Sequence, residues 1–499
     1  MDRYSLSVVS AATRRRSPLI LVLATLSLAG CSVGPDYVRP AIDTPAAYKE
    51  QGPWKTAEPG HIDDRQDWWK SFGDSTLDQL MEQANAANLT VQEAVAQYRR
   101  ARAEDQAARS AFWPQLGLAA GTSRARTNTN GSKLGNAYAV GLDAGWEPDL
   151  WGEVRRSAEA SSATAQASAA QLAAARLSIQ AELAQDYLQL RVVDQQKALY
   201  ARTVAAYMRS LALTRSQYEA GVTLRSDVAL ADAQLKTTQA QAIDLDAQRN
   251  QLEHAIAILI GKSPAAFSLP AQDGWQTRLP EIPTGVPSQL LERRPDIADA
   301  ERLVAAANAN IGVAQAAYYP SLTLSAGGGF SAAAGSVAQW FSIPNRVWAL
   351  GASLAGTLFD GGLRAAHTEA ARASYDAAVA QYKQTVLGGF QEVEDKLSNL
   401  RVLASENTAQ DQAVDASRLA ERLALSQYRA GTTTYLTVVT AQAQTLSNER
   451  TSSELWGRRL VASVALIKAV GGGWNAGQLD DRTAMASPDQ AAAPIRHAD

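Results

Sequence analysis

Between Gly152 and Ile260 apolar side chains recur every three or four positions, whereas between Leu116 and Trp146 they recur every second one. The first period places them on one stripe of a helix, the second on one face of a strand. No Pro or Gly interrupts the run from Gly152 to Ala220, and Leu172, Ile179, Leu183, Tyr187 and Leu190 mark its apolar stripe. Such a helix of about 68 residues is on the order of 100 Å long at 1.5 Å per residue. A second run, Gly362 to Ala430, repeats the pattern but carries Gly388-Gly389, where a bend or register adjustment is expected. Returning helices are expected over Val222 to Ile260 and Leu436 to Val470. A further helix is predicted from Ser75 to Ser110, with Leu77, Leu80, Ala84, Ala87, Val91, Ala94 and Tyr98 in helical spacing. It ends at Phe112-Trp113-Pro114, because proline cannot continue a helix and pushes the preceding residue towards extended geometry.

The alternating stretches form two pairs. Leu116, Leu118 and Ala120 are followed, after a polar loop from Arg124 to Asn136, by Tyr138, Val140, Leu142, Ala144 and Trp146. Tyr318-Tyr319-Pro320 then leads into Leu322, Leu324, Ala326, Gly328 and Phe330, answered by Trp348, Leu350, Ala352, Leu354 and Leu358. Each strand is near the length a tilted strand needs to cross a bilayer, about ten residues. Four strands alone cannot close a barrel, and an open edge in lipid leaves unpaired backbone groups costing several kcal/mol each. Closed barrels begin at about eight strands, so two, three or four copies of the chain serve. A soluble four-stranded sheet with one buried face fits the same alternation.

The chain is duplicated. Ser216-Gln217-Tyr218-Glu219-Ala220-Gly221 and Ser426-Gln427-Tyr428-Arg429-Ala430-Gly431 are near copies, and every matched pair lies 210 positions apart. In each copy a long helical pattern reaches Gly where a helix C-cap belongs, then β-branched residues, then a second helical pattern. That is a helical hairpin used twice, so the 499 residues are read as one duplicated body before they are read as several domains.

Composition and the amino terminus narrow the class. A formal net charge of −3 and a pI near 6.0 argue against a nucleic-acid surface. Charged residues make up only 19% of the chain, and its many alanines permit close helix-helix approach. Arg14-Arg15-Arg16, an apolar run from Leu19 to Ala29, and then Leu28-Ala29-Gly30-Cys31 form a signal peptide ending in a bacterial lipobox. Its apolar part is too short to remain as a spanning helix. Cys31 is the only cysteine, so it is expected to be acylated and to become the first mature residue; a buried unpaired thiol is the alternative. Ser32 follows where an Asp would favour the inner membrane, so the outer membrane is the expected destination.

The run Cys31-Ser32-Val33-Gly34-Pro35-Asp36-Tyr37-Val38-Arg39-Pro40 resembles the mature start of the outer-membrane efflux lipoproteins, the TolC-like exit ducts of tripartite pumps. Trp68-Trp69-Lys70-Ser71-Phe72-Gly73-Asp74, Arg293-Arg294-Pro295-Asp296-Ile297 and Ile311-Gly312-Val313-Ala314-Gln315-Ala316 are similar to that family in the same order, and the likeness runs roughly from Cys31 to Val470. It implies a mainly α fold with membrane β: internally duplicated long helical hairpins plus four strands per protomer, closing as a homotrimer into a twelve-strand β-barrel continuous with a twelve-helix α-barrel. It also implies a periplasmic adaptor, an inner-membrane pump of the RND type and contact with outer-membrane lipid. The expected organisation is a signal peptide (1–30), a lipidated N-terminal and equatorial segment (31–74), a first repeat (75–270), an equatorial linker (271–290), a second repeat (291–470) and a C-terminal segment (471–499). Within the last, Arg482 to Asp499 has the composition of a disordered tail.

Chemistry is scarce. The four histidines, His61, His254, His367 and His497, form no HExxH pattern and have no second cysteine to join, so metal or thiol catalysis has no constellation. No cofactor is expected beyond the lipid on Cys31. Gly261-Lys262-Ser263 lacks the glycines of a phosphate loop and reads as a helix C-cap. Arg293-Arg294-Pro295-Asp296 reads as a helix start before it reads as an anion site.

The hairpin tips therefore carry the functional expectation. In the resembled family acidic and apolar rings constrict the channel at the tips, and a tyrosine on the outer hairpin helps hold it shut. Carried over, Asp227 takes the acidic position of the first tip and Leu436 the apolar position of the second. Tyr428 matches the tethering tyrosine, Tyr218 is its repeat counterpart, and Gly221 and Gly431 make the turns. Thr433, Thr437 and Thr440 stand where relatives often carry charges, so a second acidic ring is missing. A blander reading makes Asp227 a helix N-terminal carboxylate and both tyrosines packing residues. The expected function is passive export of small toxic compounds or drugs through an outer-membrane duct. The alternatives are the exit duct of a type I protein secretion system and a pore-less coiled-coil lipoprotein.

Overall fold

The computed structural model describes residues 32–50, 67–127, 133–272, 274–280, 282, 287–332 and 341–479. The signal peptide, Cys31, His61, His497 and the segment from Arg482 to Asp499 lie outside them. After a 3-10 turn at Trp68–Phe72 comes α1, Ser75–Ala87, capped by the Asp74 carboxylate, which accepts from Thr76 N at 2.9 Å and Leu77 N at 3.1 Å. The single helix expected from Ser75 to Ser110 is instead broken at Asn88, and α2 runs from Leu89 to Ser110. Asn88 is extended and buried; its side chain accepts from Val91 N at 3.0 Å and donates to Leu259 O at 2.8 Å. Asparagine competes well for such cap bonds, and apolar periodicity does not register them.

Strands β1 (Gln115–Thr127) and β2 (Lys133–Trp146) follow, each reaching further into the polar stretch than the expected loop from Arg124 to Asn136 allows. The two are paired throughout, Thr127 against Lys133 at their far end, so backbone pairing outlasts the apolar alternation. Then come α3 (Glu153–Glu219), α4 (Arg225–Leu259), a single turn α5 (Leu290–Arg293), α6 (Pro295–Ala316), β3 (Ser321–Ala332), β4 (Arg346–Ala355), α7 (Leu363–Arg429) and α8 (Tyr435–Ala469). The last expected strand stops before Leu358. The two long helices are both 67 residues and their returning partners both 35, as the fixed repeat offset requires. Helix α7 is continuous through Gly388 and Gly389. Among the described residues no helix is long and apolar enough to cross a membrane, which leaves the strands as the candidates.

The chain packs as two units. Among the described residues, the first comprises those within 32–40, 100–165 and 302–380, and the second those within 41–99, 166–301 and 381–479. In the first unit the four strands make one antiparallel sheet in the order β1-β2-β3-β4. Its register sets Leu118, Leu142, Gly328 and Trp348 in one row and Leu116, Ala144, Ala326 and Leu350 in the next, all on one face. The opposite face carries Gly117, Asp143, Gly327 and Ala349. Within the protomer the apolar face is uncovered: Leu118, Trp348 and Leu350 are about three-quarters exposed, and every residue of β4 is exposed. So large an uncovered apolar face marks a surface that meets something other than water.

The second unit holds both hairpin tips, the greater part of each hairpin and the segments that brace them. Leu172, Leu183, Tyr187 and Leu190 of α3 are buried, as their spacing predicts, and Ile179 is half-buried. Polar ties converge on the same helix. The Asp74 Oδ2 accepts from the Tyr187 hydroxyl and from Trp275 Nε1, both at 2.7 Å. Arg191 donates to the Tyr187 hydroxyl at 3.1 Å, Asp194 at 3.2 Å and Pro270 O at 2.9 Å. Arg249 pairs with Asp194 at 2.8 Å and Glu253 at 2.5 Å and also reaches Leu269 O. The connector after α4 is thus laced to the first hairpin.

Candidate functional site

Both tips are built by the same backbone. At the end of α3, Gly221 N donates to Tyr218 O at 2.9 Å and Val222 N to Gln217 O at 2.8 Å; at the end of α7, Gly431 N donates to Tyr428 O and Thr432 N to Gln427 O, both at 3.0 Å. Gly221 and Gly431 each have φ near +73°, the left-handed conformation that ends a helix in this way and that a side chain disfavours. The first turns of the returning helices also match, Asp227 N bonding Leu224 O at 3.1 Å and Thr437 N bonding Thr434 O at 3.2 Å.

The side chains diverge from this common frame. Tyr218 is 44% exposed, whereas Tyr428 is 5% exposed and sits in a core with Tyr207, Leu211, Ala231, Leu235, Ala424, Tyr435 and Val438. These residues come from α3, α4, α7 and α8, so the core joins one hairpin to the other. The Tyr428 ring meets Tyr435 edge-on at 5.3 Å, and its hydroxyl donates to Thr214 Oγ1 at 3.4 Å, the long end of a hydrogen bond. Thr214 is itself buried and donates to Ser210 O at 3.0 Å. Burial also raises the Tyr435 phenol above its ordinary pKa. Tyr207, Thr214 and Tyr435 are functional candidates that sequence reasoning missed; the one available signal was the spacing of seven residues between Tyr428 and Tyr435 across the turn.

Asp227 is half-buried in the first turn of α4, and its carboxylate accepts from the Thr223 hydroxyl. The second tip repeats this contact with threonines at both ends, Thr433 Oγ1 donating to Thr437 Oγ1 at 3.0 Å. Thr440 donates to Leu436 O at 2.8 Å. Thr437 therefore accepts from a hydroxyl where the first tip holds the Asp227 charge. Leu436 is 59% exposed and stands apart from the buried core. The first hairpin also has a cross-tie that the second lacks at the matching positions: Arg215 pairs with Asp232 at 3.8 Å, whereas the second has Leu425, packed on the core, and Gln442, whose buried carboxamide oxygen has no partner.

Other sequence candidates fall into structural places. Gly261 N and Lys262 N close the last turn of α4 onto Ile258 O and Ala257 O. Pro295 opens α6, and Arg294 is engaged by Asp296 at 2.7 Å, Glu392 at 2.8 Å and Ala469 O at 2.9 Å, which leaves it no anion to hold. Among the described residues no group of His, Cys, Asp and Glu is placed to bind a metal.

Residues 80–262 and 286–472 match the outer membrane efflux protein family model, one stretch in each repeat. The chain is 32% identical to outer membrane protein OprJ of Pseudomonas aeruginosa, over 92% of this chain and 96% of that protein. It is 30% identical to the pyoverdine export outer membrane protein OpmQ of the same organism, over 94% of this chain and 99% of that protein. Among solved structures, the outer-membrane channel OprN is similar with a TM-score of 0.82 at 33% identity, covering 89% of this chain and 100% of that one.

Proposed function

Because this chain belongs to the outer membrane efflux protein family, we propose that three copies pool their strands into one twelve-strand barrel and their hairpins into one helical tube. The chain is an outer-membrane efflux channel and not an enzyme. One observation carries the need for further copies, and the family likeness is what favours three: a sheet of four strands with an uncovered apolar face leaves β1 and β4 each with an open edge. In lipid such edges are paired only by closing the cylinder with other protomers. A lipid on Cys31 adds a second attachment to the membrane.

The tips are the gate. Tyr428, with Thr214 and Tyr435, holds the two hairpins of a protomer together, while Asp227 and Leu436 narrow the opening. The buried seam is polar at several points and imperfectly paired, so it separates at modest cost when a periplasmic adaptor engages the turns at Gly221 and Gly431. An inner-membrane pump of the RND type supplies small toxic compounds or drugs, and the duct passes what the pump delivers.

Native mass spectrometry of the detergent-purified protein is expected to give a trimer, and a water-soluble monomer stable without detergent contradicts the reading. In planar bilayers the Tyr428→Phe and Asp227→Ala trimers are expected to spend longer open than the unaltered channel. Unchanged conductance in both removes the gate assignment.

A further inference from the structure

The residues that follow Cys31 are fastened to one end of the sheet in the first unit. Val33 N donates to Trp151 O at 3.0 Å. Arg156, its side chain only 6% exposed, donates to Val33 O and Gly34 O at 3.3 Å and to the Asp36 carboxylate at 2.8 Å. Asn308 donates to Pro35 O at 2.9 Å. Gly34, at φ +103°, lies so close to Gly312 that a Cβ on it would stand 2.5 Å from the Gly312 Cα. Ser32 is pressed against Gly152, where an added Cβ would come within 3.1 Å of the Ser32 Cα. Trp151 in turn donates its indole N–H to Pro320 O at 2.8 Å. Ser32 is therefore held where β2 has just ended and β3 is about to begin.

At that end the apolar face of the sheet is notched. A cavity of about 350 Å³ is walled by Pro114, Trp146, Leu324 and Leu350, and Ala144 and Ala326, neighbours in register, supply its floor. The Trp146 wall is braced, its indole N–H donating to Phe112 O at 3.1 Å. Large side chains around two alanines paired across the strands leave an apolar slot on the face proposed to meet lipid.

We propose that an acyl chain carried by Cys31 lies in this notch, an inference that rests on the lipidation proposed above. Leu324 is three residues into β3, about 10 Å from its start, and an acyl chain spans one leaflet, about 15 Å, so the notch is within reach of a chain tethered through the residue before Ser32. Any membrane lipid has the same chemistry as that chain. The fastened strap decides between them, because a tethered chain competes at a far higher effective concentration than a diffusing one.

The test feeds cells a palmitate analogue bearing a diazirine and an alkyne, irradiates the purified trimer in its membrane, and reads cross-linked peptides by tandem mass spectrometry. The expected product joins the Cys31 peptide, through its acyl chain, to a peptide containing Trp146, Leu324 or Leu350, and it is lost in Ala326→Phe, which fills the floor. Adducts at the notch that lack the Cys31 peptide come from free phospholipid and overturn the proposal. So do Cys31 cross-links scattered over all four strands. An intact mass without acyl groups on Cys31 overturns the lipidation itself, a failure that the cross-link pattern does not produce.

Discussion

The two hairpins share a backbone and differ in where they keep their polar contacts. The first is laced near its base: Arg191 and Asp194 are 2% and 4% exposed and tie the helix to its connector. The second has Arg401 at the matching position, and it also holds a connector, through Glu50 at 2.8 Å, but that pair is open to water. At the tips the order reverses. There the second hairpin supplies the buried Tyr428 and Tyr435, and the first supplies the exposed Tyr218. Duplication preserved the frame while each copy specialised one end, so under the proposed gating the first hairpin is the fixed arm and the second the one that locks and releases.

Three measurements break or sharpen that contrast. The largest effect is expected at the base, where Arg191→Ala takes from buried Asp194 one of its two arginine partners and frees the Pro270 carbonyl. Removing one member of a buried ion pair costs about 3–5 kcal/mol, whereas Arg401→Ala, at an exposed pair, is expected to cost ~1 kcal/mol or less. Thermal unfolding of the two variants reads the difference directly. Next comes the tip. Truncating a large aromatic side chain in a packed core costs about 3 kcal/mol or more, so Tyr428→Ala is expected to loosen the hairpin contact as judged by hydrogen exchange at α7 and α8. Tyr218→Ala, on an exposed ring, is expected to leave exchange unchanged.

The smallest effect concerns pH. Burial, with Glu182 nearby, pushes the Asp186 carboxyl up to about 6, and the matching position in the second repeat is Lys396. The folded state thus holds a proton that the unfolded chain releases near pH 3.8, so this contribution is full below that value and gone above about pH 6. Stability is expected to fall slightly as pH rises through that window, and Asp186→Asn is expected to flatten the dependence in thermal melts.

Much of this was legible in the chain before any fold was known. Long-range regularity carried it: the fixed offset between Tyr218 and Tyr428 predicted two equal hairpins, and alternation in Tyr138 to Trp146 predicted a strand with one apolar face. Features set by single side chains in three dimensions were hidden. The break at Asn88 depends on a bond to Leu259, and β1 and β2 extend through polar residues because backbone pairing needs no apolar pattern. The burial of Tyr428 and exposure of Tyr218 follow from packing between helices, to which two near-identical sequence segments are blind. Asp227 was singled out through the family resemblance, but its Thr223 partner and the contact between Thr433 and Thr437 emerge only from geometry.

Single-channel recording compares the two tyrosines most directly. If the second hairpin locks the duct, Tyr428→Ala trimers in a planar bilayer show long open dwells, and Tyr218→Ala trimers stay as closed as the unaltered channel. Equal opening in both variants, or in neither, contradicts a lock built on the second tip.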